Sequence, residues 1–180
     1  LTLDGGTLKL TALVPVTTSR AVTLDAGGGT VEVADALELG GIVSGTGALT
    51  KTGAGALVLT RSNAYSGGTT LSTGTLAISG AGADAGSGTL ALGANTLDVR
   101  NGATPATPVT VDGGTVTSSV GGGRLDGTVT LGAGGATFDL ASAFELRGVV
   151  SGGGELRKAG AAALTLTRDN VYSGGTTVSG

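Results

Sequence analysis

Apolar residues recur two positions apart in short segments along the whole chain. The pairs are Leu1/Leu3, Leu8/Leu10, Val22/Leu24, Val31/Val33, Leu37/Leu39, Leu57/Leu59, Leu76/Ile78, Leu90/Leu92, Leu97/Val99, Val109/Val111 and Leu164/Leu166. This alternation turns one face of each segment inward, as in a β-strand. Gly-rich turns such as Gly27-Gly28-Gly29 separate the segments, and no stretch keeps the helical period of about 3.6 residues. The pattern predicts an all-β chain of short strands.

A long internal repeat organises these strands. Residues 22–73 recur without a gap as residues 129–180, at a constant shift of 107 positions, and 33 of the 52 aligned residues are identical. Repetition of this kind is typical of a protein built by stacking copies of one unit. We therefore expect residues 1–180 to form one continuous solenoid segment.

The composition favours a narrow core. The chain has two Phe, two Tyr, no Trp and no Met, which are too few large side chains for a wide sandwich. A β-solenoid needs only a few Leu, Val, Ile or Ala side chains per coil, and its 37 glycines can form the corners. With coils of about 20 to 22 residues, we predict a right-handed, single-stranded parallel β-helix of about eight coils. A disordered Gly-rich tract is the weaker alternative, because 39% of the residues are hydrophobic.

Charge and missing residue types exclude several classes. The net charge is −3 and the Lys and Arg residues are scattered singly, so nucleic acid is not an expected partner. Cysteine is absent, and no run of residues resembles a signal peptide or a transmembrane helix. The chain also begins and stops within the strand pattern without polar caps. This predicts either an excerpt of a longer protein or copies that stack end to end.

The best-kept part of the repeat carries a specific motif. It reads Gly-x-Leu-x-Lys-x-Gly, then a Leu-x-Leu-Thr strand, then Asn-x-Tyr-Ser-Gly-Gly-Thr-Thr. The first copy runs from Gly47 to Leu76, and the second runs from Gly154 to the end of the chain. This motif resembles the autotransporter-associated β-strand repeat, also called the passenger-associated transport repeat, of Gram-negative autotransporter passengers.

The resemblance implies a fold, a location and a function. It implies a right-handed parallel β-helix at the cell surface, exported through a C-terminal outer-membrane barrel that lies outside this chain. The repeat is thought to assist folding and secretion of the passenger, so an effector or adhesive region would lie elsewhere. The partners would be adjacent coils, other copies or a host or cell-surface glycan.

The corner of the motif has residues with predictable roles. Asn63 and Asn170 are expected to bond backbone groups at a fixed corner between two strands. Tyr65 and Tyr172 are expected to cover an apolar edge, with the hydroxyl reaching water or a carbonyl. A carbohydrate platform built from these residues is a less favoured alternative, because two isolated tyrosines do not make a continuous aromatic surface.

Glycine and lysine complete the motif. Four glycines are predicted to form turns with positive φ before the next strand, namely Gly67, Gly68, Gly174 and Gly175. Lys51 and Lys158 are predicted to point outward into solvent, where charge discourages aggregation through sheet edges. An anion or polysaccharide stripe is the alternative for these lysines.

No catalytic, cofactor or metal site is predicted. Glu32 and Glu38 recur as Asp139 and Glu145, so these acids belong to the repeated framework, whereas an active site is normally one irregular constellation. The Gly-Gly-x-Gly-x-Asp calcium repeat is absent, and the threonine ranks are too irregular for ice binding. Two functions remain: a non-enzymatic structural stalk, and an adhesin or self-associating extracellular fibre.

Overall fold

A computed structural model describes all residues from 1 to 180, and its regular structure is entirely β. The strands are β1 Thr2–Leu3, β2 Gly6–Leu10, β3 Val16–Thr18, β4 Val22–Leu24, β5 Gly29–Val33, β6 Ala36–Leu39, β7 Val43–Gly45, β8 Leu49–Thr52, β9 Ala56–Leu59, β10 Ala64–Tyr65, β11 Thr69–Leu71, β12 Thr75–Ser79, β13 Leu90–Gly93, β14 Thr96–Arg100, β15 Val109–Val111, β16 Gly114–Ser118, β17 Gly123–Leu125, β18 Val129–Leu131, β19 Ala136–Leu140, β20 Phe144–Leu146, β21 Val150–Gly152, β22 Leu156–Ala159, β23 Leu164–Leu166 and β24 Thr176–Val178. They stack as a β-solenoid, which confirms the predicted all-β fold.

Every coil contributes one strand to each of two long parallel sheets, except at the ends. One sheet has eight strands in the order β2-β5-β8-β11-β13-β15-β18-β21, and the other has nine in the order β3-β6-β9-β12-β14-β16-β19-β22-β24. The nine-stranded sheet corresponds to about nine turns rather than the predicted eight. The difference arises because several coils are shorter than expected, for example the coil between the paired residues Leu57 and Leu76.

The core is a line of side chains that runs through the stack. In the nine-stranded sheet one inward column contains Val16, Leu37, Leu57, Leu76, Leu97, Val116, Phe138, Lys158 and Val178. A single hydrophobic cluster of 35 buried residues extends through the coils. Each fully buried Leu or Val stabilises the fold by roughly 1.5–3 kcal/mol relative to an exposed position. The alternating Leu and Val of the sequence therefore supply the core, as predicted.

The third side of the solenoid is less regular than the two long sheets. It follows each strand of the nine-stranded sheet and precedes the next strand of the eight-stranded sheet. A four-stranded sheet, β1-β4-β7-β10, covers its first part, and a three-stranded sheet, β17-β20-β23, covers its last part. Between them the chain makes backbone hydrogen bonds from coil to coil without long strands, such as Ser87 N to Tyr65 O at 3.0 Å and Asp126 N to Pro105 O at 2.9 Å. The third side thus stays connected along the rod.

The two sequence repeats do not lie on the same side of the rod. Strand β5 belongs to the eight-stranded sheet, whereas its repeat counterpart β19 belongs to the nine-stranded sheet. Five steps along the eight-stranded sheet lead from β5 to β18, and β19 is the next strand of the chain. The two copies are therefore separated by five complete coils and by one of the three sides of a further coil. Equivalent residues of the two copies face directions that differ by about a third of a turn.

Candidate functional site

Lys51 lies inside the solenoid, so the prediction of an outward, solvated lysine is wrong. Its side chain stands in the inward column of the eight-stranded sheet between Val31 and Leu71, and the residue is fully buried. The Nζ group donates hydrogen bonds to three backbone carbonyls, those of Thr52 at 2.9 Å, Gly53 at 2.7 Å and Thr73 at 3.1 Å. The ammonium group thus satisfies carbonyls at a corner where two successive coils meet.

Lys158 occupies the same place in the second copy and is also buried, with 8% of its surface exposed. Its Nζ donates to the carbonyl of Gly160 at 2.6 Å. The prediction that this lysine points outward is therefore wrong as well. Both lysines donate a hydrogen bond to a backbone carbonyl at a corner, and neither forms part of an exposed anion or polysaccharide stripe.

Burial gives Lys51 a measurable pH signature. Desolvation lowers the pKa of Lys51 from 10.5 to about 8. Between these two pH values the unfolded chain binds more protons at this position than the folded chain does, so the free energy of unfolding rises with pH. We expect urea denaturation between pH 7 and pH 10 to show this rise in the native chain. A Lys51→Met variant should lack this contribution, and a stability difference between the two proteins that stays constant across this range would contradict the assignment.

Asn63 bonds backbone groups at a corner, as predicted, but it does so across coils. Its Oδ1 accepts from Val43 N at 2.8 Å in the preceding coil, and its Nδ2 donates to Asp84 O at 2.7 Å in the following coil. Its φ is not positive, and Asn101 is the one non-glycine residue with a positive φ, at 54°. The buried amide therefore links three coils through main-chain partners.

Asn170 repeats half of this arrangement. Its Oδ1 accepts from Val150 N at 2.8 Å, which is the counterpart of the Asn63 bond to Val43. Its Nδ2 donates to Arg168 O at 2.7 Å within its own coil. The bond to the preceding coil is thus the common property of the motif asparagine.

Tyr65 is fully buried and its hydroxyl meets another hydroxyl, so the predicted contact of this group with water or a carbonyl is wrong. The hydroxyl is 2.6 Å from Thr69 Oγ1, and Thr69 donates to the carbonyl of Ala85 at 3.3 Å in the next coil. Burial raises the pKa of Tyr65 well above its ordinary range. Tyr172 makes the same contact with Thr176, at 2.7 Å. A buried ring cannot stack on a sugar, which excludes Tyr65 as a carbohydrate platform.

The motif glycines divide into two kinds. Gly68 and Gly175 have φ values of 81° and 83°, as predicted for turn residues. Gly67 and Gly174 do not have positive φ, and the prediction is wrong for them. They are glycines because a Cβ would lie 2.4 Å from Ala48 N at Gly67 and 2.2 Å from Gly154 C at Gly174, on the backbone of the preceding coil.

Sequence reasoning missed the polar residues that surround this corner. Asp84 accepts from the backbone N–H groups of Ala85 at 2.7 Å and Ala106 at 3.2 Å, and it also bonds the hydroxyl of Thr107. The carbonyl oxygen of Gly86 lies 2.8 Å from the same hydroxyl and is a second acceptor for its single proton. These contacts connect the strand-poor part of the third side. Asp84 and Thr107 lie in the segment between the two motif copies, where the motif gives no signal for them.

The motif residues form an internal joint between coils rather than a reaction centre. In the first copy Lys51, Asn63 and Tyr65 are buried, and their polar atoms bond the backbone or, for Tyr65, the hydroxyl of Thr69. No group of three or more His, Cys, Asp or Glu side chains could hold a metal ion. No helix is long and apolar enough to cross a membrane. The bonds of Asn63 and Lys51 connect successive coils through their backbone.

Comparison with known proteins identifies the repeat by its sequence. The sequence profile of the family described as passenger-associated-transport-repeat matches residues 49–78 and 156–180. The chain carries passenger-associated transport repeats, as autotransporter passengers do. The matched residues contain both copies of the lysine, asparagine and tyrosine described above. The resemblance seen in the sequence is thereby confirmed.

One relative extends the similarity beyond the repeats. The chain is 39% identical over 188 aligned positions to "Adhesin BmaC autotransporter" of Brucella suis biovar 1 (strain 1330). The alignment covers 100% of this chain and 5% of the relative. The chain therefore spans about one twentieth of the length of the curated relative it matches. No solved structure matches the chain.

Proposed function

We propose that this segment is a non-enzymatic structural stalk within a surface-exposed autotransporter passenger. In this role the stacked coils support folding and export of the passenger and hold a functional region away from the outer membrane. The observation that carries the proposal is the internal joint of the repeat. The buried polar groups of Asn63 and Lys51 form hydrogen bonds with backbone atoms of neighbouring coils, which supports a role in coil stacking.

The continuous core supports the same role. Its 35 buried residues form one cluster, and each coil pairs with the next through parallel strands on the long sheets. In such a solenoid each coil contacts only its neighbours, so folding can spread from coil to coil. Progressive folding outside the cell would favour outward movement of a chain that is threaded through a membrane pore.

An adhesin or a self-associating fibre is the second candidate. The observation that favours it is the name of the relative, which is called an adhesin. In that case an outward surface of these coils, rather than the internal joint, would contact a partner. The two candidates differ in whether the coils themselves are needed for adhesion once the protein is displayed.

Removal of one complete coil tests the stalk function. Gly29 and Leu49 are paired positions in successive coils, so deletion of residues 29–48 removes one coil. Strand β8 then follows β4 in the place that β5 has in the native chain. We expect the full-length protein that lacks only residues 29–48 to reach the cell surface in normal amounts and to retain adhesion. Surface amount is measured by antibody labelling of whole cells, and adhesion is measured on the same cells.

A deletion of half a coil is the matched control. Removal of residues 29–38 shifts every later strand by half a coil and disrupts the inward columns, so export should fall strongly. Normal surface display of this variant would contradict a role of coil stacking in export. Loss of adhesion at normal display after deletion of residues 29–48 would instead favour the adhesin function.

A further inference from the structure

A shallow groove of about 370 Å³ lies on the outer surface of the third side, at the three-stranded sheet. The backbone around Gly121–Gly123 and Ala103 forms its floor, and the side chains of Arg124, Glu145 and Arg147 form its wall. Arg124 and Glu145 are paired positions on the neighbouring strands β17 and β20. The glycine floor leaves the main chain open to a ligand that lies flat along the surface.

The two arginines of this groove keep unused hydrogen-bond donors. Arg124 binds Asp126 through Nε at 2.8 Å and Nη2 at 3.2 Å, and this pair raises the pKa of Arg124. Arg147 binds Glu145 through Nε alone, at 2.9 Å, and 48% of its side chain is exposed. Both Nη groups of Arg147 are therefore free to donate to a bound oxyanion.

A third arginine lies next to the groove. Arg168 donates from Nε to the carbonyl oxygen of Arg147 at 3.1 Å, which places its guanidinium one coil further along the rod. Arg124 and Arg147 are each paired with one carboxylate, Asp126 and Glu145 respectively. The residues that line the groove contribute two positive charges, Arg124 and Arg147, and one negative charge, Glu145, on a chain whose net charge is −3.

The repeat does not require these charges. At a shift of 107 positions, Arg147 corresponds to Gly40, while Arg124 and Asp126 precede residue 129 and lie outside the second copy. The first copy therefore stacks its coils without the patch. Glu145, Arg168 and the core residues do recur, as Glu38 and Arg61 among others. Arg147 is thus an addition to a repeated framework whose first copy has glycine at the same position.

We propose that this groove, which we call the arginine groove, binds an extended acidic polysaccharide through the carboxylate or sulfate groups of its sugars. Guanidinium forks bind planar or tetrahedral oxyanions through paired, charge-assisted hydrogen bonds. The oxygens of Glu145 and Asp126 can accept hydrogen bonds from sugar hydroxyls. This binding function goes beyond the stalk function and is independent of the buried joint around Tyr65.

The lining of the groove favours a saccharide over a peptide. Phe144 is 1% exposed, and the other apolar side chains of the lining are the alanines Ala103 and Ala143. A peptide ligand needs apolar pockets for some of its side chains, and the arginine groove has none. A sugar chain needs mainly charged and hydroxyl-bonding partners, which this groove provides.

Fluorescence anisotropy with labelled octasaccharides tests the proposal on the intact protein. The probes are a heparin octasaccharide with sulfate and carboxylate groups, a hyaluronan octasaccharide with carboxylate groups only, and a neutral dextran of equal length. We expect one or both acidic probes to bind in low salt and more weakly in high salt, with no binding of dextran. The two acidic probes distinguish sulfate from carboxylate as the recognised group.

Arginine variants locate the binding. The R124Q/R147Q double variant should bind the acidic probe roughly tenfold more weakly or worse, because it lacks both forks that line the groove. The R61Q variant is the matched control. Arg61 makes the same kind of Nε contact as Arg168, to the carbonyl of Gly40 in the preceding coil at 3.0 Å, and it lies on the third side in a coil that does not line the groove. Its affinity should equal that of the native protein.

A measurement on the native protein locates the bound octasaccharide without relying on the folding of the variants. In the native protein, bound octasaccharide should slow phenylglyoxal modification of Arg147, read by mass spectrometry, and leave Arg61 unchanged. The proposal is overturned if neither acidic probe binds, if the double variant retains native affinity, or if Arg147 and Arg61 are protected equally. A poly-glutamate peptide that competes as strongly as the saccharide would also overturn the assignment of a sugar ligand.

Discussion

A Gly47→Ala substitution is expected to lower the free energy of unfolding by about 3 kcal/mol or more. A Cβ at this position would lie 1.9 Å from the backbone oxygen of Asp25 and 2.7 Å from Gly28 Cα. Both atoms belong to the main chain of the preceding coil, so no side chain can turn aside to make room. The two coils would have to separate, which also weakens the bond from Gly47 N to Leu24 O. Urea denaturation followed by circular dichroism measures the loss.

The second copy provides a counterpart and a matched control for this prediction. Gly154 is the repeat counterpart of Gly47, and its Cβ would lie 1.9 Å from Gly132 O, so Gly154→Ala should be similarly harmful. The neighbouring Gly153 has no atom within 4 Å of a Cβ and no positive φ. Its counterpart is Thr46, an exposed residue. Gly153→Ala should therefore leave stability unchanged or raise it slightly. Equal effects at 153 and 154 would refute this explanation.

Some glycines of the motif have a different role from the positive-φ turn that sequence reasoning assigns to Gly-rich segments. Turn glycines with positive φ follow from the Gly-rich segments, and Gly68 is one of them. Gly47 and Gly67 have no such conformation and serve the close approach of two coils. That approach depends on which residues stack from one coil to the next. Neither local turn chemistry nor composition contains this information.

The burial of Lys51 could have been inferred from alternation. Lys51 follows Leu49 by two residues, so both belong on one side of the strand, and Leu49 is buried. The general cost of burying charge argues for the outside, and it misleads here because three carbonyls at the corner accept from the ammonium. Strand periodicity was the better guide to burial than residue type.

The all-β solenoid and its repeat could be predicted, whereas the relative orientation of the copies could not. Coil length varies along the rod, since Leu57 pairs with Leu76 in a short coil and Val116 pairs with Phe138 in a longer one. The sequence separation of the two copies therefore gives no definite angle without the structure. The arginine groove was missed for the same reason, because Arg124 and Arg147 become neighbours only when one coil of the correct length separates them.

A Tyr65→Ala substitution is expected to destabilise the chain by about 3–5 kcal/mol. The side chain is the largest of those that are fully buried, and its removal leaves a cavity that the backbone cannot fill. Gly86 in the next coil shows how closely the ring is packed, since a Cβ there would lie 2.9 Å from Cε2 of Tyr65. The same substitution removes the hydroxyl that meets Thr69. Urea denaturation measures the loss.

The Tyr65→Phe variant separates packing from hydrogen bonding. It keeps the ring and leaves the hydroxyl of Thr69 with its remaining bond to Ala85 O, so the expected loss is about 1 kcal/mol. A double-mutant cycle with Thr69→Val measures the coupling between the two hydroxyls directly, because the residues are in contact. If Tyr65→Ala costs no more than Tyr65→Phe, the ring does not fill the core, and the joint depends on the Asn63 and Lys51 bonds to the backbone.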